Sequence, residues 1–70
     1  MKFRITPILT HHHEAKVIIA NGEEERHSAF RTLAEIGAMC LEKHPTEDKE
    51  IEVFYPARDI KKILCESIGE

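Results

Sequence analysis

Three segments of the chain alternate apolar and polar side chains with period two, and that commits it to a β-sheet. In Lys2 to Leu9, Phe3 and Ile5 alternate with Lys2, Arg4 and Thr6. In Glu14 to Ala20, Ala15, Val17 and Ile19 share one face and Glu14, Lys16, Ile18 and Ala20 the other. In Glu50 to Tyr55, Ile51, Val53 and Tyr55 alternate with Glu50, Glu52 and Phe54. Successive side chains of a strand point to opposite faces, so each segment reads as a strand with one face to bury. Pro7 and the Ile8-Leu9 pair break the parity of the first, which puts that end at a sheet edge or a bulge. Thr10 to His13 then reads as the loop joining two antiparallel strands.

The remaining segments carry helical spacing. Asn21-Gly22 reads as a helix entry, with Asn21 as the cap and Glu24 in the capping-box position, and Glu23, Glu24 and Glu25 complement the positive end of the macrodipole. A stripe of Phe30, Leu33, Ala34, Gly37, Cys40 and Leu41 predicts that this helix runs on to His44-Pro45, with Met39 opposite the stripe. Whether Glu23 to His27 begins the helix or forms a strand after an Asn-Gly hairpin stays open, the helix being preferred because adjacent glutamates suit strands poorly. Pro56 opens a second helix, with Ile60, Ile63, Leu64 and Ile68 on one stripe and Gly69 as its C-cap. The order β-β-α-β-α predicts an α+β fold, a two-layer sandwich in which a three-stranded, mostly antiparallel sheet carries both helices on one face. No repeat or composition shift divides residues 1–70, which form a single domain.

A chain of 70 residues buries only about 60% of the surface its unfolded form exposes, so self-association or a partner is a ready source of extra stability. Its 41% hydrophobic and 33% charged residues fit a folded domain. Ten basic residues against thirteen acidic ones give a net charge of -3, the wrong sign for sequence-independent binding to phosphates. The start, M-K-F-R-I-T-P-I-L-T, has too short and interrupted an apolar run for a signal peptide, and no apolar stretch spans a bilayer, so a cytoplasmic setting is expected. In that setting Cys40 and Cys65 are expected as reduced thiols acting as small hydrophobes.

Chemistry is hard to find in the pattern. His11 and His13 point to one side of an extended loop and, with Glu14, suggest a zinc-like ion, but a tight site takes three or four ligands in fixed geometry, so T-H-H-H-E reads as a solvated or partner-contacting loop and no metal or other cofactor is expected. Cys40 and His44 are four apart on the expected helix, yet no third group orients them, and a histidine in a last helical turn is accounted for by the dipole. Ser28 beside His27 does not face it. Glycine-rich phosphate loops and paired catalytic carboxylates are missing from the sequence, and an enzyme is not expected.

Apolar residues on the solvent side are the informative anomaly. With Ala15, Val17 and Ile19 facing the helices, Ile18 faces out; with Ile51, Val53 and Tyr55 facing in, Phe54 faces out. Ile18 and Phe54 are therefore expected as anchors of a partner-binding patch on the open sheet face, flanked by Arg4, Lys16 and Glu52. Glu23, Glu24 and Glu25 form an acidic contact, with Glu47-Asp48-Lys49-Glu50 as a further acidic run able to dock on a basic groove of another protein. Homodimerisation through the same open face satisfies Ile18 and Phe54 equally well.

In size, acidity and lack of a catalytic motif, the chain from M-K-F-R-I-T to C-E-S-I-G-E resembles the small inhibitor proteins of phages and mobile elements, of the anti-CRISPR type. That resemblance implies a non-enzymatic inhibitor or adaptor that binds a larger protein or nucleoprotein complex, and it carries over no individual residue. The expected placing of helices on one face of a three-stranded sheet is also similar to double-stranded-RNA-binding domains, which would put phosphate contacts on A-R-D-I-K-K, with Arg58, Lys61 and Lys62 interrupted by Asp59. RNA binding is the alternative function, and a homo-oligomeric structural protein the second alternative.

Overall fold

The structure, a computed structural model, describes residues 1–11 and 14–69. Its elements are β1 (Lys2–Leu9), β2 (Ile18–Asn21), α1 (Glu23–Glu35), β3 (Gly37–Lys43), β4 (Glu50–Pro56), a one-turn 3-10 helix (Ala57–Asp59) and β5 (Ile60–Gly69). They make two antiparallel sheets, a three-stranded one in the order β2-β1-β5 and a β3-β4 hairpin. The expected sandwich of two helices on one three-stranded sheet is thus corrected: among the described residues one α-helix packs with five strands.

Both corrections concern segments whose apolar residues suit either period. Gly37, at φ +142°, stands where an L side chain rarely goes, and α1 stops two residues earlier at Glu35, with the N–H of its cap Ile36 on the Thr32 carbonyl. From there Ala38 and Cys40 turn inward while Met39 and Leu41 turn outward, a period-two pattern that the helical stripe had absorbed. The segment expected as a second helix, Ile60 to Ile68, is β5, which lies along the whole of β1 and helps cover its apolar residues. Pro56 leads only into the 3-10 turn.

β1 is the central strand, with Phe3, Ile5, Pro7 and Leu9 all buried on one face, so its parity does not break at Pro7. Pro7 is tolerated because a residue's N and O point to the same side of a strand. Its carbonyl accepts from the Ala15 N–H at 2.9 Å, so its missing N–H falls on the side away from β5, beyond the end of the β2 ladder, which stops at Ile5. The register shift between Ile8 and Leu9 supplies the bulge.

The second strand is shorter than expected. Ala15 donates to Pro7 of β1 while Lys16 donates to Met39 of β3 at 2.8 Å, so residues 14–16 bridge the two sheets and the period of two restarts after them. Ala15 and Ala20 are buried, Ile18 packs against the core, and Val17 and Ile19 are exposed, the reverse of the expected facing for Val17, Ile18 and Ile19. Helix entry also shifts by one residue. Gly22, not Asn21, precedes the first helical residue, and Glu25 rather than Glu24 reaches back to accept the Asn21 N–H at 2.9 Å. The Arg26 guanidinium lies 4.9 Å from the Phe3 ring centroid and pairs with Glu23, which seats the first turns of α1 on β1. Phe3, Ile5, Leu9, Ala20, Leu33, Ala38 and Cys40 form a single core under the helix.

Candidate interaction face

The β3-β4 hairpin alternates cleanly, and its register decides what faces solvent. Phe54 stands directly opposite Met39, and Glu52 opposite Leu41. Met39, Leu41, Glu52 and Phe54 therefore share the outward face, with Phe54 51% exposed. Lys16 reaches the same face from the far side of β3. Its N–H bonds Met39, yet its Nζ lies 3.5 Å from Glu52 Oε2 on β4, so its aliphatic stem crosses the outward side chains of β3. Both charged ends are more than half exposed, so this pair contributes at most about 1 kcal/mol and serves mainly to rim the apolar residues.

A groove runs from this face along α1. Its wider half, about 380 Å³, is lined by Val17, Ile18, Thr32, Leu33 and Met39 among others. The other half, about 330 Å³, continues past Ile18 and Thr32 to Ser28 and Glu25. Ile18 is thus a groove wall packed on the core, and the expectation of Ile18 as an outward anchor beside Phe54 is corrected, since the two belong to different sheets. Glu23, Glu24 and Glu25 occupy the first turn of α1, and a 13-residue helix puts about 20 Å between that turn and Gly37. The groove therefore runs from Met39 near the C-terminal end of α1 to Glu25 in its first turn, and of the three glutamates Glu25 is the one that lines it. Within the cluster Glu23 is held by Arg26 and Glu25 by the Asn21 N–H.

On the inward face, the Tyr55 hydroxyl donates to Glu42 Oε2. That hydrogen bond to a carboxylate, with burial and the Glu42 charge adding, pushes the Tyr55 phenol up from 10.0 to about 12. Because the folded value is the higher one, the contribution to stability is fully present below pH 10 and is lost as pH rises from 10 to about 12. Tyr55 is the one tyrosine, so tyrosinate absorbance reads it directly. Glu42→Gln is expected to move the midpoint down toward 10.0, and an unmoved midpoint would exclude this hydrogen bond as the cause.

Cys40 and His44 are drawn apart by the strand: four residues of β-structure span about 13 Å. The Cys40 thiol is buried 3.4 Å from the Glu14 carbonyl, and burial, then the Glu42 charge, pushes its pKa up, away from a reactive thiolate. His44 Nδ1 accepts the Thr46 and Glu47 N–H groups at 3.1 and 3.0 Å and thereby shapes the β3-β4 loop. Cys65 is a free, exposed thiol on β5. Of the histidine run, His11 lies beside Thr10 Oγ1, while His12 and His13 fall outside the described residues. Among the described residues no group of three or more metal-ligating side chains converges, and no helix is long and apolar enough to cross a membrane. Arg58, Lys61 and Lys62 stand on a 3-10 turn and a strand, so the final helix on which the likeness to double-stranded-RNA-binding domains depends is not formed.

Leu41 and Val17 were hidden from sequence reasoning, the first by its assignment to a helical stripe and the second by the parity of a strand that is interrupted. The signal for Leu41 was the alternation of G-A-M-C-L-E-K immediately after a glycine. Comparison of the chain with protein-family models, curated proteins and solved structures found no match to any of them.

Proposed function

We propose that the protein is a non-enzymatic protein-interaction module, an inhibitor or adaptor acting in the cytoplasm on a larger protein or nucleoprotein complex. The observation that carries this reading is the contiguity of Val17, Met39, Leu41 and Phe54, all exposed, beside an apolar groove. A cluster of this kind on so small a domain is a binding surface more often than a chance exposure. Its rim is charged at Lys16 and Glu52, and its groove ends at Glu25, so the occupant suited to it is an apolar segment followed by basic residues. Phe54 is the anchor, because aromatic side chains at the centre of an interface carry most of its energy.

The test is capture from host lysate with wild type and Phe54→Asp in parallel, read by mass spectrometry. The variant is expected to keep the wild-type circular dichroism and to lose about 2 kcal/mol or more of affinity, roughly thirtyfold, for the captured complex. Equal capture by the two proteins would remove the hairpin face from the proposal.

A further inference from the structure

β5 is the outer strand of its sheet, and among the described residues its free edge pairs with nothing. Bulges interrupt it at both ends, between Ile8 and Leu9 and between Lys2 and Phe3 of the partner strand, but six residues, Lys62 to Ser67, run in unbroken register with Ile8 to Phe3. A regular edge with Leu64 48% exposed is a template for another strand, and monomeric proteins usually guard such an edge with charge. Here the guarding charges are placed symmetrically. Lys62 and Glu66 lie two residues to either side of Leu64, on the same sheet face.

We propose that the occupant of this edge is a second copy of the chain, paired antiparallel with its two-fold axis at Leu64. Such an axis is normal to the sheet and keeps each residue on its own face, so only residues whose numbers have the same parity can oppose each other. Leu64 then faces its counterpart, and each Lys62 faces the other copy's Glu66, which already holds Arg4 at 2.9 Å. Ile63 faces Cys65. Moving the axis by one residue to Ile63 or Cys65 sets Lys62 and Glu66 opposite apolar residues, and parallel pairing sets like charges side by side. The register at Leu64 is the one that neutralises both charges twice and joins the two three-stranded sheets into a six-stranded one.

This inference does not depend on the Phe54 face, and the two fail separately: Phe54→Asp is expected to leave the dimer intact. Size-exclusion chromatography with light scattering, over a dilution series, is expected to find a wild-type dimer. Lys62→Glu and Glu66→Lys each oppose like charges twice and are expected to weaken it on the order of tenfold or more, with circular dichroism checking each fold. An equimolar mixture of the two variants restores both attractive pairs and is expected to dimerise as well as wild type. Because Lys62 is exposed and in no ion pair among the described residues, its variant is the one least expected to disturb the monomer. A wild type that is monomeric throughout, a dimer indifferent to Lys62→Glu, or two weakened variants that do not rescue each other would each overturn the proposal.

Discussion

Gly37→Ala is expected to prevent the β3-β4 hairpin from docking in its present register, at a cost of about 3 kcal/mol or more. A Cβ on Gly37 would stand 2.1 Å from the Tyr55 carbonyl oxygen and 2.9 Å from both Pro56 Cα and Phe54 Cζ. Two of these atoms are backbone of the strand paired with Gly37, so a change of rotamer relieves little. The φ of +142° adds conformational strain to the overlap. Gly22 makes the comparison sharp. It has a φ of +118° but nothing within 4 Å of its would-be Cβ, so Gly22→Ala is expected to cost only the conformational part, about 1–3 kcal/mol. Denaturant unfolding of the two variants separates clash from strain, and equal losses would dismiss the close approach at Gly37. Because the Phe54 ring rests over Gly37, a folded remnant of Gly37→Ala is also expected to lose the binding assigned to Phe54.

Ile5→Ala is expected to lose about 2–5 kcal/mol, enough to leave much of the chain unfolded. Ile5 has 0% exposure on the central strand, opposite Ile18 on one side and Cys65 on the other. Truncation removes contacts that neither neighbouring strand can close up to replace, since each is held by its own ladder. A domain of this length has only about 4–10 kcal/mol in hand. The midpoint of chemical denaturation measures the loss, and a value under about 1 kcal/mol would mean that the sheet collapses around the cavity. If the β5 edge pairs with a second copy, the loss for this variant is also expected to depend on protein concentration, because dimerisation stabilises by mass action.

The strands β1 and β4 were legible because each carries an alternation long enough to exclude other periods, and Phe54 was legible as a solvent-side residue for the same reason. Ile18 was not. Its facing depends on Ala15 and Lys16 bonding two different sheets, a tertiary event that restarts the parity between them. The β3 and β5 segments mix apolar residues at spacings of two, three and four, and a stripe drawn through Leu33, Gly37 and Cys40 or through Ile60, Ile63 and Leu64 fits a helix as well as a strand.

By itself the sequence determined the presence of strands at both ends of a helical segment and a thin core with apolar residues left over, and it favoured, without deciding, a helix start at the three glutamates that the structure shows. Those follow from local periodicity and from charge at a helix terminus, which act over a few residues. Only the tertiary structure decided that β1 lies between β2 and β5, that the hairpin face gathers Met39, Leu41 and Phe54, and that Lys62 and Glu66 flank Leu64 on an open edge. The reason is that an ambiguous apolar segment takes its secondary structure from the partner that buries it, and for β5 that partner is a strand about sixty residues away.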